Sequence, residues 1–503
     1  MNLMIKKINS EDTSLLVEFM AAAGKSLVTF RYFNKRTFSC LRNHLLTVIG
    51  VGCNGKPLAY GHLDRDGETI WLGVCIIEGE TGKGFGKEIM EVLLAHADDS
   101  GLSLKLGVDK GNLPAIRLYE KMGFKFCQDN GEMLIYERQR SVPIYKPWVS
   151  EESKTNVVEA LSTGWISSAG KFVKEFEERL ASFLGAKYVT VTNSGTGACH
   201  LILEAVGVSE RKTVLCPALT FVATANTAVH CHKDPSLIKF IDADPETWNM
   251  DLDKLECVAR DLNGPAVLFW TPVYGNMSDM DKVVDICSKY NITLCEDTCE
   301  AIGSKWKDKF AGTFGTAAAF SFHAAKSVTT GEGGAVVTND KDIHDRVWLL
   351  RGHGQTGEYY HPVVGYNYRM TNIQAAIGTG QMSSIQHILD TKNRIYKRYK
   401  DNLEGQVKFA MEPIGAVHSH WAVTVLTEKR DAVRKALLAN KVETRGVFIP
   451  IPELPPYAKF NTGSYPVASM IHKLGVSFPT FIGIQDEEID RICDIVKAAI
   501  KGS

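Results

Sequence analysis

The stretch FSFHAAKSVTTGEGGAVVTND (Phe320–Asp340) decides how most of this chain is read. A strand-like apolar run, Ala317–Phe322, stops shortly before Lys326, and a glycine-rich turn then leads into a second strand. Upstream, ITLCEDTCEAIGSKW (Ile292–Trp306) places Asp297 at the carboxyl end of a run with the character of a buried strand. Open parallel sheets bind ligands at the carboxyl ends of their strands, and a carboxylate buried there needs a partner. A protonated pyridine nitrogen would serve. Lys326 would then be the Schiff-base amine, because only a primary amine forms an imine with an aldehyde and later shuttles a proton. Taken singly, Asp297 reads rather as a helix cap, Lys326 as a surface lysine, and Thr329–Gly334 as a turn.

The surrounding rhythm supports a sheet of that kind. Short apolar runs at Tyr188–Thr192, Thr213–Cys216, Leu237–Ile241, Ala266–Phe269 and Ile292–Cys295 alternate with helical stretches. Such alternation predicts βαβ units and a mainly parallel sheet covered by helices. From about Arg346 the pattern turns helical and then mixed, with strand-like Trp421–Thr427 and Phe448–Pro450. The expected division is a large α/β domain over 141–380 and a smaller α/β domain over 381–503.

From about Val142 to near the C-terminus the chain closely resembles the DegT/DnrJ-type sugar aminotransferases, which have the fold-type I architecture of pyridoxal-phosphate (PLP) enzymes. The resemblance rests on GWISSAGKFVKEFE (Gly164–Glu177), NSGTGACH (Asn193–His200), PALTFVATAN (Pro217–Asn226), EDTCEA (Glu296–Ala301), the lysine segment, GYNYRMTNIQAAIG (Gly365–Gly378) and ETRGVFIP (Glu443–Pro450). It implies that Gly195 and Thr196 hold the PLP phosphate at a helix N-terminus and that Ser321 also binds it. Phe221 would stack on the ring, and Asp297 would pair with the pyridine nitrogen so that the ring acts as an electron sink. Asn367 would reach the phosphate of a neighbouring subunit, which implies a homodimer with shared sites. Glu300 stands where many relatives have Gln near the ring hydroxyl; the perosamine-synthase-like branch also has Glu there. The family's 3-dehydratase branch has His in place of the lysine, so Lys326 favours transamination. Gly446, where relatives often have Pro, and Ile451-Pro452-Glu453, in place of a commonly His-containing turn, leave the sugar open.

Residues 1–140 have another rhythm. Strand-like stretches at Leu46–Cys53, Pro57–Leu63, Thr69–Ile77, Leu102–Val108 and Glu132–Glu137 are interleaved with helical patterns at Ser14–Ala23, Gly84–Asp98 and Pro114–Met122. IIEGETGKGFGKEIMEVLLAHA (Ile76–Ala97) is a strand, a glycine-rich turn and a helix, and Gly82, Gly84 and Gly86 leave backbone amides uncovered at the helix start. Those amides and the positive end of the helix dipole suit a pyrophosphate. With GNLPAIRLYEKMGF (Gly111–Phe124) following the next strand, the block resembles the GNAT N-acetyltransferase family. The resemblance implies acetyl-CoA, held by Ile76 and by the loop Thr81, Gly82, Lys83, Gly84, Phe85, Gly86 and Lys87, with Asn112 near the pantetheine arm. The family's loop usually begins with Gln or Arg; here that place is Thr81. Tyr119 would be the acid that protonates the departing thiolate, a task suited to a phenol of ordinary pKa about 10. His62, Asp64 and Glu78 are candidate bases. FRYFNKR (Phe30–Arg36), three basic residues among three aromatics, reads either as a site for an anionic acceptor or as an amphipathic helix surface.

Composition sets outer limits. Lys and Arg number 57 against 58 Asp and Glu, for a net charge of −1, which argues against a protein built to neutralise a nucleic-acid polymer. The 12 cysteines are scattered. Cys295 and Cys299 lack a second pair at zinc-binding spacing, so reduced thiols and no metal are expected. No secretory signal or membrane span is visible, and the expected compartment is the cytoplasm. The whole reads as a bifunctional enzyme. It would aminate a nucleotide-linked 4-keto-6-deoxyhexose with glutamate as donor, then acetylate the new amine with acetyl-CoA. Two alternatives stay open: an aminotransferase whose acetyltransferase block is a docking or regulatory module, and a non-enzymatic PLP-binding sensor.

Overall fold

The computed structural model describes residues 3–33, 36–138, 141–208, 211–232, 234–458 and 463–502. The chain forms two compact units, Met1–Val142 and Pro143–Ser503.

The first unit is a seven-stranded sheet in the order Met4–Lys7, His44–Val51, Pro57–Asp66, Thr69–Ile76, Leu104–Val108, Leu134–Arg138, Lys125–Asp129. All neighbours are antiparallel except Thr69–Ile76 against Leu104–Val108. That parallel pair is joined only at Ile70–Leu104 and Trp71–Lys105. Beyond Trp71 the two strands share no further pairing. Helix Phe85–Asp99 buries Ile89, Met90, Leu93 and Leu94 against one face of the sheet. Helix Ser14–Ala22 buries Leu16 and Phe19 against the other, over Tyr60 and Cys75. The two edge strands Met4–Lys7 and Lys125–Asp129 were not legible in the sequence, because both are short and mostly exposed and so carry little apolar alternation.

The second unit is built on another seven-stranded sheet, ordered Ile238–Ile241, Thr213–Pro217, Ala266–Trp270, Ile292–Asp297, Ala317–Ser321, Gly334–Thr338, Tyr188–Thr192. The first five are mutually parallel and the last two pairings are antiparallel. Every residue of Ala266–Trp270 is buried, as expected for a strand covered on both faces. Helix Lys171–Leu184 seals one layer with Phe172, Phe176, Leu180 and Leu184, one side chain per turn on a single face, and closes at Gly185 with φ +68°. Later segments form a four-stranded antiparallel sheet, Lys408–Phe409, Val423–Leu426, Gly475–Phe478 and Arg445–Gly446.

Two expectations need correction. Phe448–Pro450 is not a strand; the short strand lies earlier, at Arg445–Gly446, and the chain then enters a 3₁₀ turn at Ile451–Glu453. Phe448 packs instead against Tyr274, with rings 5.4 Å apart, so its apolar character serves side-chain stacking rather than a ladder. The boundary expected at 380/381 falls inside helix Asn372–Ser383, which runs through it unbroken. Among the described residues no helix is long and apolar enough to cross a membrane, and all 12 cysteines are unpaired.

Candidate active sites

Asp297 ends the strand Ile292–Asp297 and is buried. The Thr224 hydroxyl donates to its Oδ2 at 2.6 Å, and the Cys299 amide to its Oδ1 at 3.3 Å. The neighbouring strand Ala317–Ser321 makes a hairpin with Gly334–Thr338, and Lys326 rides on the connecting loop, its amide held by the His323 carbonyl at 2.9 Å. Its Nζ lies 3.3 Å from Glu300 Oε1 and 4.0 Å from the centre of the Trp421 ring. Glu300 is buried, and its Oε2 accepts the Tyr274 amide at 3.0 Å. Burial pushes the Glu300 carboxyl above the usual carboxylate range, and Lys326 pulls it back. The Trp421 indole is pinned by a 2.7 Å bond to the Ala325 carbonyl and by the Tyr145 ring stacked 5.8 Å away.

A helix start that could cradle a phosphate lies alongside. Helix Gly195–Ala205 starts at Gly195, with the Ser194 hydroxyl accepting the Gly197 amide at 3.0 Å. A Cβ on Gly195 would lie 2.7 Å from Ser321 Cβ and 3.0 Å from Cys299 Sγ. Glycine therefore lets the helix start come up against Ser321 and Cys299, two residues beyond Asp297. Thr196 is exposed in the first turn, and Phe221 is 55 % exposed, its ring 6.1 Å from Phe448. Helix amides, the Ser321 hydroxyl, a buried carboxylate and an amine thus suit a flat phosphorylated aldehyde with a basic ring nitrogen. Asn367 lies on the Asn193 side of that helix start. It is exposed, its Oδ1 accepts from Arg369 Nε at 3.2 Å, and its carbonyl accepts from Asn193 Nδ2 at 3.4 Å.

Sequence reasoning missed four groups here: Thr224, Tyr274, Trp421 and Tyr145. Thr224 lies inside the quoted PALTFVATAN motif, where a hydroxyl three positions after Phe221 was a usable signal. The three aromatics come from distant segments and carry no local signature. The substrate-side departures are placed as follows: Gly446 pairs with Val476, Ile451 is buried, and Glu453 accepts from the Ser469 hydroxyl.

In the first unit, the loop before helix Phe85–Asp99 has φ +81° at Gly82 and +92° at Gly84, and Gly84 caps the helix without any side-chain bond. Nothing lies within 4 Å of where a Cβ would stand at either glycine, so backbone faces open space. A Cβ on Gly86 would meet Leu118 Cδ2 at 3.3 Å, so this glycine serves close packing. Phe85 is 3 % exposed in the core, and Ile76 packs beside that core, half-buried; at Phe85 only the amide is left to face a ligand. Lys83 pairs with Glu80 at 2.8 Å and Lys87 with Glu91 at 3.2 Å, while Thr81 is exposed. Asn112 caps helix Leu113–Lys121 by accepting the Ala115 amide at 3.3 Å. Tyr119 is buried, and burial, with Cys75 nearby, pushes its phenol up to about 12, so it stays protonated.

The candidate bases separate. Asp64 accepts the Tyr32 phenol at 2.6 Å, and His62 stands 4.1 Å ring to ring from Tyr32. Glu78 is turned away, accepting the Lys25 amide at 3.0 Å. The FRYFNKR segment is not an amphipathic helix surface. Helix Ser26–Thr29 ends before it, and Phe30 and Phe33 pack inward on Tyr60 at 5.6 and 5.7 Å. Its two described cations have partners of their own: Arg31 binds Asp109 at 3.1 Å and Arg36 lies over the Tyr32 ring at 4.4 Å. Asn34 and Lys35 lie outside the described residues.

Comparison with known proteins finds a family for each of the two units. Residues 147–497 match the DegT/DnrJ/EryC1/StrS aminotransferase family, and residues 15–124 match the acetyltransferase (GNAT) family. The chain is 36 % identical over 360 residues to the GDP-perosamine synthase of Escherichia coli O157:H7, covering 71 % of this chain and 97 % of that protein. It is 37 % identical over 363 residues to the GDP-perosamine synthase of Caulobacter vibrioides, covering 70 % and 96 %. Among solved structures, DesI in the presence of its TDP-sugar product superposes with a TM-score of 0.65 at 28 % identity, over 72 % of this chain and 94 % of that one. The chain belongs to the DegT/DnrJ/EryC1/StrS aminotransferase family and carries a GNAT-family domain at its N-terminal end.

Proposed function

We propose that this chain performs two consecutive transfers on one nucleotide-linked sugar. The second unit replaces the 4-keto oxygen of an NDP-4-keto-6-deoxyhexose with an amino group taken from glutamate, and the first unit acetylates that amine with acetyl-CoA. The observation that carries the first half is the Lys326 amine, held between Glu300 and Trp421 on the hairpin next to buried Asp297. PLP, when bound, supplies an aldehyde to carry the amino group and an electron-poor ring.

The chain's own residues do the rest. Asp297, its Oδ2 fixed by Thr224, gives the ring nitrogen a negative partner and keeps it protonated. The helix start at Gly195 and Thr196, with Ser321, binds the phosphate, and Phe221 covers the ring. Lys326 Nζ is freed for proton transfer at the carbon that gains or loses the amine, with Glu300 3.3 Å away to orient it. Asn367, exposed and with its Oδ1 accepting from Arg369, serves the partner's phosphate in a homodimer. The relatives named for GDP-perosamine synthesis favour a 4-keto-6-deoxyhexose with GDP first among the carriers. In the first unit, the open amides of Gly82–Gly86 receive the pyrophosphate of acetyl-CoA, and Tyr119 hands its proton to the leaving thiolate. The order of reactions follows from chemistry, since amination creates the nucleophile that acetylation consumes. We place both reactions in the cytoplasm.

The test is incubation of the purified holoenzyme with glutamate, acetyl-CoA and GDP-, UDP- and dTDP-linked 4-keto-6-deoxyhexoses, with products read by mass spectrometry and NMR. A 4-acetamido product supports the proposal. A product that stops at the amine refutes the acetyl half. No amination of any member refutes the whole.

A further inference from the structure

Five polar side chains gather in the first unit away from the loop that faces the thioester cofactor. The Tyr32 phenol lies 2.6 Å from Asp64 Oδ2 and 2.7 Å from His44 Nε2, and His44 Nδ1 lies 2.8 Å from Thr47 Oγ1. The His62 ring stacks on His44 at 4.7 Å. Thr47, His62 and Asp64 are all buried. With Asp64 accepting and His44 neutral, one arrangement of protons satisfies all three contacts: Thr47 donates to His44 Nδ1, His44 Nε2–H donates to the Tyr32 oxygen, and Tyr32 donates to Asp64. Every donor points along the chain toward the Asp64 carboxylate. Burial holds the His44 pKa down at about 4, consistent with a neutral ring carrying the single N–H that this arrangement needs.

The place of the cluster in the sheet follows from register. Tyr60, His62 and Asp64 alternate onto one face of strand Pro57–Asp66 and stand opposite Cys75, Gly73 and Trp71. Trp71 is the last residue paired across to Leu104–Val108 before the strands part. The His62 ring lies directly on Gly73, where a Cβ would be 2.2 Å from its Cε1. The electrostatic influence of Cys75 reaches Tyr119 from across the sheet. Arg31, next to Tyr32, bonds Asp109, the residue after strand Leu104–Val108, at 3.1 Å. The segment bearing Tyr32 is therefore tied to the chain just beyond strand Leu104–Val108, across the strand pair that comes apart after Trp71.

We infer that Tyr32 and Asp64 form the proton exit of the acetyl-transfer site, aligned by His44 and Thr47; this rests on the acetyltransferase reading above. Tyr32 meets the substrate ammonium. As the phenol oxygen takes one ammonium proton, the phenol passes its own proton to Asp64. The freed amine nitrogen forms a C–N bond to the thioester carbonyl carbon. The C–S bond then breaks, Tyr119 gives its proton to the departing thiolate, and the second proton lost by the nitrogen restores Tyr119. One ammonium and one acetyl thioester become one acetamide, one thiol and one proton, which Asp64 releases to water. His62 is set aside as the proton acceptor because it is 1 % exposed and burial keeps its pKa well below the ordinary value. Thr47 and His44 are positioning residues that fix the Tyr32 oxygen.

The test uses the full-length holoenzyme, acetyl-CoA and two nucleophiles. One is the nucleotide-linked 4-amino-4,6-dideoxyhexose that the wild type acetylates, chosen from GDP-, UDP- and dTDP-linked forms. The other is its 4-hydroxylamino counterpart, whose nitrogen is unprotonated at neutral pH. Tyr32→Phe and Asp64→Asn are expected to slow acetylation of the amine by about 100-fold or more, the scale of general-base catalysis. The hydroxylamine rate is expected to fall by about an order of magnitude less, and Asp64→Glu to recover part of the amine rate. Acetyl-CoA affinity, measured by calorimetry, reports folding of the unit. Parallel losses on both nucleophiles, or an unchanged amine rate, overturn the inference. If Asp64→Asn fails to bind acetyl-CoA, Tyr32→Phe, which removes one oxygen from a half-buried ring, decides. A wild type that acetylates none of the three amines refutes the acetyltransferase reading itself, a result separate from any behaviour of the variants.

Discussion

Lys392 sits in helix Ile385–Leu403 and is 3 % exposed. Its Nζ donates to the Trp421 carbonyl at 3.1 Å and the Thr480 carbonyl at 2.5 Å. Burial pushes its pKa down to about 7. The residue thus braces the backbone of the tryptophan whose ring covers the Lys326 amine, and above pH 7 it does so mostly uncharged. The consequence for stability has a definite sign. Between pH 7 and about 10.5 the unfolded chain binds a proton at this lysine that the folded chain does not, so stability rises with pH through that window. Below pH 7 both states carry the proton and the dependence vanishes. The slope for one proton is about 1.4 kcal/mol per pH unit. Lys392→Met keeps the volume and removes the titration. The unfolding free energy of wild type minus that of Lys392→Met should therefore increase by about 2.5 kcal/mol from pH 7.5 to 9.5. The assay is urea unfolding of the two holoproteins at equal protomer concentration, since ligand and subunit association shift apparent stability. A difference that stays flat across those two pH units would refute the reasoning. It would mean that the two carbonyls hold a charged ammonium strongly enough to cancel the cost of burying it.

Three further outcomes follow from the geometry. Lys326→Ala should abolish covalent attachment of PLP, read as the mass increment after borohydride reduction, and lower amination by at least about 100-fold. Gly195→Ala places a methyl 2.7 Å from Ser321 Cβ; overpacking of about 1–3 kcal/mol should weaken PLP binding by roughly 5- to 150-fold in a fluorescence titration, with helix content unchanged by circular dichroism. Tyr119→Phe should reduce acetyl transfer by about 10²–10⁴ while acetyl-CoA affinity, measured by calorimetry, stays within about threefold.

What the sequence made legible, and what it hid, divides along a physical line. Asp297 and Lys326 could be read because each is fixed by its own local unit, the end of one buried strand and the loop of one hairpin, and apolar runs mark both units. The Gly82–Gly86 loop was legible for the same reason, since a glycine-rich turn before a helix announces itself within a few residues. Trp421 was not, because its place over Lys326 depends on a bond to Ala325 and on Tyr145, contacts between segments far apart in the chain. The FRYFNKR segment shows how local pattern misleads. Alternating aromatic and basic residues look like a surface, yet Phe30 and Phe33 fill the space above Tyr60 while Arg31 crosses to Asp109. The pairing of His44, Asp64 and Tyr32 arises from antiparallel register, His44 opposite Asp64, and from the loop folded over that pair. A one-residue slip would send Asp64 to the opposite face of the sheet, among Leu63 and Leu93, and leave a carboxylate in an apolar core. That cost is what specifies the register, so the polar cluster and the strand alignment stabilise one another, and neither is visible from its own stretch of sequence.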